Sequence, residues 1–315
     1  MNSSMDVLDH VRLNFSPSGL LFLNIALAFI MFGVALGIKV HDFEDIIRKP
    51  KSAITGIIAQ FLLLPLLTFL LIILIKPAPT IALGMILVAS CPGGNISNFM
   101  SSMAKANAAL SVSLTAFATL CAVFMTPLNF AVWGNLYVRF YNNRSAEALL
   151  RPLQIDQFQM FETVLILLGV PVILGIFFAT RFPQATRKII KPLKIISLLF
   201  FIAMVIAMLS ANFSHFIRFV HLVFIVVLIH NALALGTGFL FATLMKRPRI
   251  DRRTITIETG IQNSGLALTL MFNPKIFPPD LELGGMAVIA AWWGIWHILS
   301  GLTIAGLWSK KPLLA

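Results

Sequence analysis

Long apolar runs separated by short polar loops dominate the hydrophobic pattern of the chain. A helix that crosses a bilayer needs about 20 mainly apolar residues. The pattern therefore predicts nine membrane-spanning helices, at 19–39, 52–75, 80–104, 108–137, 160–180, 193–212, 219–245, 254–273 and 283–308. Because the loops are short, we expect an all-α polytopic protein with a single membrane domain, 1–315, and no soluble domain attached.

Two of the predicted spans are interrupted by polar and glycine-containing segments. The third span contains SCPGGNISN at 90–98, and the eighth contains ETGIQNSG at 258–265, with a break expected around Gly260 and Gly265. Non-helical backbone at membrane depth survives only where it is buried in protein or lines a cavity. Broken helices at corresponding points of two halves indicate a transporter site. Two unrelated helix kinks are the alternative.

The direction of the two interrupted spans fits an inverted repeat. With nine spans, the third and eighth cross the membrane in opposite directions, as two repeats of opposite topology require. We predict a first repeat over 19–137 and a second over 160–308, in which the first repeat lacks its opening helix.

The composition supports a membrane protein. Hydrophobic residues make up 58% of the 315 residues and charged residues only 11%, whereas charged residues are about a quarter of a typical soluble protein. The net charge of +12 is explained by basic residues at a membrane face, so we expect no nucleic-acid partner. Cys91 and Cys121 form neither a CxxC pair nor a Cys/His metal pattern.

The positions of lysine and arginine predict the orientation. If the N-terminus lies outside, 17 of the 24 basic residues fall on the inner side, in 39–51, 105, 181–194, 246–253 and 310–311. Basic residues are enriched in cytoplasmic loops. We therefore expect an N-terminus outside, a cytoplasmic C-terminus and a location in the plasma (inner) membrane.

Among the twelve acidic residues, Glu258 alone lies well inside an apolar segment, whereas the others, Asp251 included, are expected in loops or at span ends. A carboxylate at membrane depth normally faces a partner or a water-filled cavity. A protonated glutamate that holds two helices together is the structural alternative.

The other polar groups near the breaks are neutral oxygen donors: Gln60, Ser97, Asn98, Ser111, Thr115 and Gln262. Oxygen ligands suit hard cations, and a single carboxylate among neutral oxygens suits a monovalent ion. Ser111 and Thr115 are four residues apart, so their hydroxyl groups share one helix face. Taken singly, each hydroxyl could instead bond back to its own helix.

The first break has a direct chemical interpretation. Pro92 lacks an amide hydrogen, and Gly93 and Gly94 allow the backbone to leave helical geometry. Asn95 is a favourable residue at a helix start, and the positive end of the new helix can face an anion. We therefore expect Gly94 and Asn95 to lie against an anionic substrate.

These segments, "CPGGNISN", "ALSVSLTAFAT" and "ETGIQNSGLA", resemble the bile acid:sodium symporter family, and the resemblance extends from about 24 to 309. The chain is similar to the nine-helix members. The resemblance implies a panel domain of helices 19–39, 160–180 and 193–212, packed against a core domain of the remaining helices. It also implies that the two broken helices cross near the membrane centre.

The resemblance further implies two sodium sites and a substrate contact. The first site would use Ser97, Asn98, Ser111, Thr115 and Glu258. The second would use Gln60, Glu258, Gln262 and the backbone carbonyls of Thr259 and Ile261. Asn263, beside the crossing, would face the substrate.

We expect a sodium-coupled symporter that takes up bile acids or a related amphipathic organic anion by alternating access. A sodium- or proton-coupled transporter of a small carboxylate such as pantoate is the alternative, with His230 and His297 as the deep histidines available to carry a proton. A channel or receptor on the same scaffold is a third class. No nucleophile–base pair or phosphate loop indicates an enzyme. We expect sodium, the organic anion and membrane lipid as partners of a monomer.

Overall fold

The computed structural model describes residues 17–38, 50–94, 96–141, 157–211, 213–273, 276–277 and 283–310. In chain order the α-helices are α1 (Pro17–Ala35), α2 (Pro50–Ile58), α3 (Leu64–Ile75), α4 (Pro79–Ser90), α5 (Ile96–Met103), α6 (Ala108–Tyr141), α7 (Gln157–Val164), α8 (Val170–Arg181), α9 (Pro183–Ala211), α10 (Phe213–Leu244), α11 (Arg249–Gly260), α12 (Ser264–Met271) and α13 (Gly284–Ser309). The π-helical segments Ala59–Leu63 and Leu165–Gly169 join α2 to α3 and α7 to α8.

The all-helical prediction is confirmed for the described residues. They contain one isolated antiparallel bridge between two residues but no β-strand. Within the part of the chain that the structure describes, five helical stretches are long and apolar enough to cross a membrane: Pro50–Ile75, Ala108–Tyr137, Phe161–Arg181, Val223–Leu244 and Gly284–Ser309. Each corresponds to a predicted span. α1 and α9 coincide with the first and sixth predicted spans, although α9 already begins at Pro183 because its basic first turns continue the helix beyond the apolar run. The full set of nine crossings stays a prediction.

The third and eighth predicted spans are each split into two helices. α4 ends at Ser90 and α5 begins at Ile96, as the sequence predicted, although Asn95 itself lies outside the described residues. The second break, between Gly260 and Ser264, is shorter than expected, and Gly265 lies inside α12. The reason is Asn263, whose side-chain oxygen accepts a 3.0 Å hydrogen bond from the Leu266 amide and starts α12 immediately.

The interior is built around α4, all twelve residues of which are buried. α4 and α10 pack against α13, and α11 packs along α10, whereas α1 packs mainly against α8 and α9. The outer surface carries large exposed apolar side chains, among them Leu62, Leu74, Phe124, Phe177 and Leu240. Soluble proteins rarely expose apolar surface of this extent, so these side chains are suited to contact with lipid.

Candidate functional site

The two helix breaks meet and exchange backbone hydrogen bonds. The Gly94 amide donates to the Ile261 carbonyl at 2.6 Å, and the Asn263 amide donates to the Pro92 carbonyl at 2.8 Å. Gly93 and Gln262 form the antiparallel bridge. Polar backbone groups freed by a helix break need partners when they are buried, and here each break satisfies groups of the other.

Glu258 lies in the last turn of α11, beside this crossing, and is buried. Its Oε1 atom accepts hydrogen bonds from Ser97, at 2.6 Å, and from Ser111. Its Oε2 atom accepts one from Thr115 at 2.9 Å. The structure therefore brings together, around one carboxylate, hydroxyl groups from α5 and α6 that lie 143 to 161 residues away in sequence.

Asn98 and Ser101 extend this cluster. The Asn98 side-chain oxygen lies 3.3 Å from the Thr115 hydroxyl, and Asn98 is half-buried. Ser101 lies one turn after Ser97 on α5, fully buried, with its Oγ atom 3.1 Å from Ser111 Oγ. Sequence reasoning missed Ser101, although its four-residue spacing from Ser97 was the available signal.

The electrostatic setting of Glu258 consists of neutral groups. Every hydrogen bond that its carboxylate receives from the described residues comes from a hydroxyl group. Buried charges are generally paired or coordinate metal ions. One carboxylate surrounded by hydroxyl and amide oxygens is a donor set suited to a small hard cation.

A second polar group surrounds Gln60, which is buried on the π-helical segment between α2 and α3. Its side-chain amide donates to the Gln262 side-chain oxygen at 2.8 Å and to the Cys91 carbonyl at 3.1 Å. The Gln262 amide in turn donates to the Thr259 carbonyl at 2.7 Å. Gln60, Gln262 and the Thr259 carbonyl are thus brought together, and the Cys91 carbonyl is an addition that sequence reasoning missed.

The structure does not join every member of the predicted second set. The Ile261 carbonyl oxygen accepts a hydrogen bond from the Gly94 amide, so it is already engaged at the crossing. No hydrogen bond within the described chain links Glu258 directly to Gln60 or Gln262. The two sets are therefore neighbours through the backbone of 258–262 rather than through one shared contact.

Two of the residues expected to contact substrate, Gly94 and Asn263, lie at the crossing. Gly94 is buried, and its amide is engaged by Ile261. Asn263 is half-buried, and its side-chain oxygen caps α12, which leaves its NH₂ group as the part that can face a ligand.

The two deep histidines lie away from Glu258. His230 Nε2 is 2.8 Å from the Thr68 hydroxyl, and its ring stands 4.7 Å from that of Trp293. His297 is buried on α13. The neighbouring Asn231 has a role that sequence reasoning missed, because its amide donates to the Gly260 carbonyl at 2.8 Å, at the end of α11.

One prediction about the acidic residues is wrong. Asp251 does not lie in a loop but in the first turn of α11, where it is 2% exposed. Its flanking arginines suggested a loop, whereas contacts with distant Ser52 and Asn107 bury it.

The apolar helices, the crossed breaks and the buried polar cluster define an integral membrane transporter. The sequence profile of the Sodium Bile acid symporter family matches residues 24–219, and the chain belongs to that family. Its members are sodium-coupled transporters and not enzymes. Membership of the family confirms the prediction of a transporter that uses sodium as its coupling ion.

Several curated proteins are similar over most of the chain. The protein named uncharacterized sodium-dependent transporter YocS, of Bacillus subtilis, is 34% identical over 92% of this chain and 84% of its own length. The probable chloroplastic sodium/metabolite cotransporter BASS2 of rice is 30% identical over 85% of this chain and 63% of its own. The ileal sodium/bile acid cotransporter of Cricetulus griseus is 28% identical over 83% of this chain and 71% of its own length.

Among solved structures, the sodium proton antiporter MjNhaP1 of Methanocaldococcus jannaschii is similar in fold. The TM-score is 0.53 at 15% sequence identity, with 91% of this chain and 84% of that chain covered. This similarity concerns the fold alone.

Proposed function

We propose that the protein is a sodium-coupled symporter that takes up bile acids or a related amphipathic organic anion across the plasma membrane. The observation that carries the proposal is the convergence of Ser97, Ser111 and Thr115 on the buried Glu258 carboxylate beside two crossed helix breaks. This arrangement combines a cation-binding donor set with free helix ends, the two requirements for binding sodium and an anion next to each other.

Sodium would occupy two neighbouring sites. The first consists of Glu258 with oxygens of Ser97, Asn98, Ser111 and Thr115. Each hydroxyl oxygen that now donates its hydrogen keeps lone pairs that can face a cation once the hydrogen turns away. The second consists of the amide oxygens of Gln60 and Gln262 and the carbonyls of Thr259 and Ile261, with the charge of Glu258 close by in sequence.

The anion would bind at the restarted helices α5 and α12. Each begins directly at the crossing, and the start of a helix carries a partial positive charge that attracts anions. The backbone near Gly94, Asn95 and the Asn263 amide group would provide the polar contacts. The apolar part of the ligand would lie between the two domains.

Alternating access would come from movement between a panel and a core. α1, α8 and α9 correspond to the proposed panel helices, and the packing of α1 on α8 and α9 supports treating them as one unit. The crossing and both sodium sites belong to the proposed core. We place the N-terminus outside and the C-terminus in the cytoplasm, on the basis of the 17 inner and 7 outer basic residues.

The transport proposal is tested with purified protein in proteoliposomes, with taurocholate as the probe. An inward sodium gradient should drive its accumulation, and replacement of sodium by choline at constant pH should abolish it. Glu258→Gln should remove sodium-driven uptake while the protein remains folded. Glu162→Gln is the matched control, because Glu162 is exposed on α7. Normal sodium dependence in Glu258→Gln contradicts the site assignment.

A small carboxylate is the second candidate substrate. The similarity to sodium/metabolite cotransporters, at 30% identity for the rice protein, supports it. Thermal stabilisation by taurocholate and by pantoate, each with and without sodium, separates the two candidates. The correct class should stabilise the protein more in sodium than in potassium.

The orientation is tested separately by cysteine labelling. Replacing Cys91 and Cys121 gives a background free of cysteine, into which single cysteines are introduced near each terminus. An impermeant reagent applied to intact cells should label the N-terminal position and not the C-terminal one. Labelling of both positions, or of the C-terminal position alone, contradicts the proposed orientation.

A further inference from the structure

Two buried asparagines, Asn129 on α6 and Asn231 on α10, donate hydrogen bonds to backbone carbonyls of other helices. The Asn129 amide donates to the Phe61 carbonyl at 3.0 Å, and the Asn231 amide donates to the Gly260 carbonyl at 2.8 Å. Asn129 is 7% exposed and Asn231 is 1% exposed. Each of the two carbonyls belongs to a residue that directly adjoins a proposed ligand of the second sodium site.

The Phe61 carbonyl lacks the usual helical donor. In an α-helix a carbonyl accepts a hydrogen bond from the amide four residues later, but that residue is Pro65, which has no amide hydrogen. Phe61 lies on the π-helical segment Ala59–Leu63 and directly follows Gln60. The amide of Asn129 therefore holds the backbone immediately after Gln60.

The Gly260 carbonyl has lost its helical donor as well. Four residues later lies Ser264, whose amide donates instead to the Gln262 carbonyl at 3.0 Å. Gly260 is the last residue of α11, and its two neighbours supply the carbonyls of the proposed second site. The hydrogen bond from Asn231 therefore fixes the peptide that separates these two carbonyls.

Helix α13 holds Asn231 in turn. The Ser300 hydroxyl donates to Asn231 Oδ1 at 2.6 Å, so the NH₂ group of this side chain is directed at Gly260. The next residue of α13, Gly301, lies against the same break, because a β-carbon there would be 2.7 Å from Ile261 Cδ1. The end of α11 is thus held by α10 and α13 together.

These bonds affect which oxygens an ion can reach. A buried carbonyl needs a hydrogen-bond partner or a cation. If the asparagine donors were absent, the Phe61 and Gly260 carbonyls would be free to turn toward a bound cation. The selectivity of an ion site depends on the size of its cavity and on the number and flexibility of its ligands. A site with two additional mobile oxygens would therefore discriminate less well between ions of different size.

We propose that Asn129 and Asn231 are positioning residues that decide which oxygens reach sodium at the second site, and thereby its selectivity for sodium over lithium and potassium. Both act through the backbone and do not contact the ion. They engage the Phe61 and Gly260 carbonyls and hold the neighbouring proposed ligands in place. This inference rests on the proposed function, because it concerns the selectivity of a site that belongs to it.

The same hydrogen bonds have a purely structural alternative, in which they stabilise the packing of α6 and α10. Loss of a buried hydrogen bond destabilises a protein wherever the bond lies. The experiment therefore needs a quantity that stability alone does not change. The preference for sodium over lithium and potassium is such a quantity.

The test uses the full-length purified protein with Asn231→Leu and Asn129→Leu, which keep similar volume but remove the hydrogen-bond donor. Equilibrium binding of ²²Na⁺ is measured alone and in competition with lithium and potassium. We expect about tenfold weaker sodium binding in Asn231→Leu, as is typical when a group that orients metal ligands is lost. Asn129→Leu should have a smaller effect, because Gln60 would reach the ion through its flexible side chain. In both variants, lithium and potassium should compete better relative to sodium than in the wild type.

A buried threonine on each helix provides a matched control. Thr237 on α10 bonds back to the Leu233 carbonyl of its own helix. Thr126 on α6 is buried, and its hydroxyl has no hydrogen-bond partner within the described residues. Thr237→Val and Thr126→Val should leave both the affinity for sodium and the preference over lithium and potassium unchanged.

A double-variant comparison tests whether Asn231 acts through the second site. Residues that share one network have non-additive effects, whereas separate sites act nearly independently. The loss of sodium affinity in Gln262→Ala/Asn231→Leu should therefore be clearly smaller than the product of the two single losses. In Thr115→Ala/Asn231→Leu it should be close to the product, because Thr115 belongs to the proposed first site.

Ser300 provides a milder pair of variants, which decides the question if Asn231→Leu does not fold. Ser300→Ala removes the hydrogen bond that orients Asn231, so it should weaken sodium selectivity in the same direction by a smaller factor. Ser300→Thr keeps a hydroxyl group at this position and should retain the selectivity of the wild type.

The outcomes distinguish this inference from the proposed function. Unchanged sodium affinity and selectivity in the folded asparagine variants, with only a lower melting temperature, overturns the positioning role and leaves the proposed function in place. A loss of the same size in the threonine controls, or a full product in Gln262→Ala/Asn231→Leu, also overturns it. Wild-type protein that binds no sodium overturns the proposed function and the positioning role together.

Discussion

The side-chain amide of Gln60 donates a 2.8 Å hydrogen bond to the side-chain oxygen of Gln262, 202 residues further along the chain. Gln60 lies on the π-helical segment between α2 and α3, and Gln262 lies in the break between α11 and α12. π-Helical segments often occur at functional sites. This contact joins an unbroken helix of the first half to the crossing. An ion bound at the proposed second site would therefore contact side chains from both halves of the chain.

Gln262→Ala and Thr115→Ala should each affect a different sodium ion. Loss of the Gln262 amide would remove a ligand of the proposed second site, and loss of the Thr115 hydroxyl would remove one of the proposed first site. Equilibrium binding of ²²Na⁺ should show one lost or weakened ion in each variant. Thr119→Ala is the control, because that hydroxyl bonds back to the Thr115 carbonyl of its own helix. Unchanged sodium affinity in both site variants contradicts the two-site assignment.

Gly93→Ala should reduce sodium affinity more than Gly94→Ala. A β-carbon at Gly93 would lie 3.1 Å from Glu258 Oε2 and 3.2 Å from the Glu258 carbonyl oxygen, closer than ordinary contact. The nearest atom to a β-carbon at Gly94 is the Gln262 carbonyl oxygen at 3.4 Å, an ordinary contact. Overpacking costs about 1–3 kcal/mol, so we expect roughly tenfold weaker sodium binding in Gly93→Ala. Equal affinities in a sodium titration would show that Gly93 is not packed against the ion site.

Substrate and sodium should strengthen each other's binding. Coupling is reciprocal and is typically about 1–3 kcal/mol, or roughly 5- to 150-fold in affinity. Titration calorimetry with taurocholate should therefore show tighter binding in sodium than in potassium. Asn98→Ala should shrink this difference, because its side-chain oxygen lies beside Thr115 at the start of α5. Equal taurocholate affinities in sodium and in potassium would contradict a thermodynamic coupling between the two ligands.

His230→Gln and His297→Gln should leave sodium-driven uptake in place. His230 contacts Thr68 and Trp293 in the interior, so its replacement should lower stability by about 1–3 kcal/mol, the cost of breaking a buried hydrogen bond. A pH gradient without sodium should drive no accumulation. Accumulation under that condition, lost in either histidine variant, favours the proton-coupled alternative.

Gly238→Ala should destabilise the protein, whereas Gly236→Ala should not. A β-carbon at Gly238 would lie 2.7 Å from the Ile255 carbonyl oxygen and 2.8 Å from Thr256 Cα, both backbone atoms of α11. We expect a loss of about 1–3 kcal/mol from this overpacking. Gly236, two residues earlier on α10, has no atom within 4 Å of that position, so Gly236→Ala should be neutral or gain up to about 1 kcal/mol of helix propensity. Thermal unfolding in detergent gives the comparison, and similar melting temperatures would contradict the close packing of α10 on α11.

Much of the architecture could be predicted from local properties of the sequence. The length of an apolar run reports whether a helix can cross a membrane, because unpaired polar groups are costly in lipid. The same cost made Glu258 conspicuous, and the Pro-Gly-Gly segment marked the first break because proline and glycine act on their own backbone. Residue type marked Ser97, Ser111 and Thr115 as oxygen donors, and four-residue spacing put Ser111 and Thr115 on one helix face. Their grouping around Glu258 was implied by the family resemblance, and in the structure all three hydroxyl groups donate to that carboxylate.

Other features depended on contacts between distant segments. Asp251 looked like a loop residue beside arginines, and only the approach of Ser52 and Asn107 buries it. The Cys91 carbonyl and the Asn231 amide were invisible as partners, since a backbone carbonyl has no sequence signature and one asparagine resembles another. The sequence by itself determined which polar residues would need a hydrogen-bond or ion partner inside the membrane. The tertiary structure alone decided which groups accompany them, because those partners come from segments more than a hundred residues away or from the backbone of another helix.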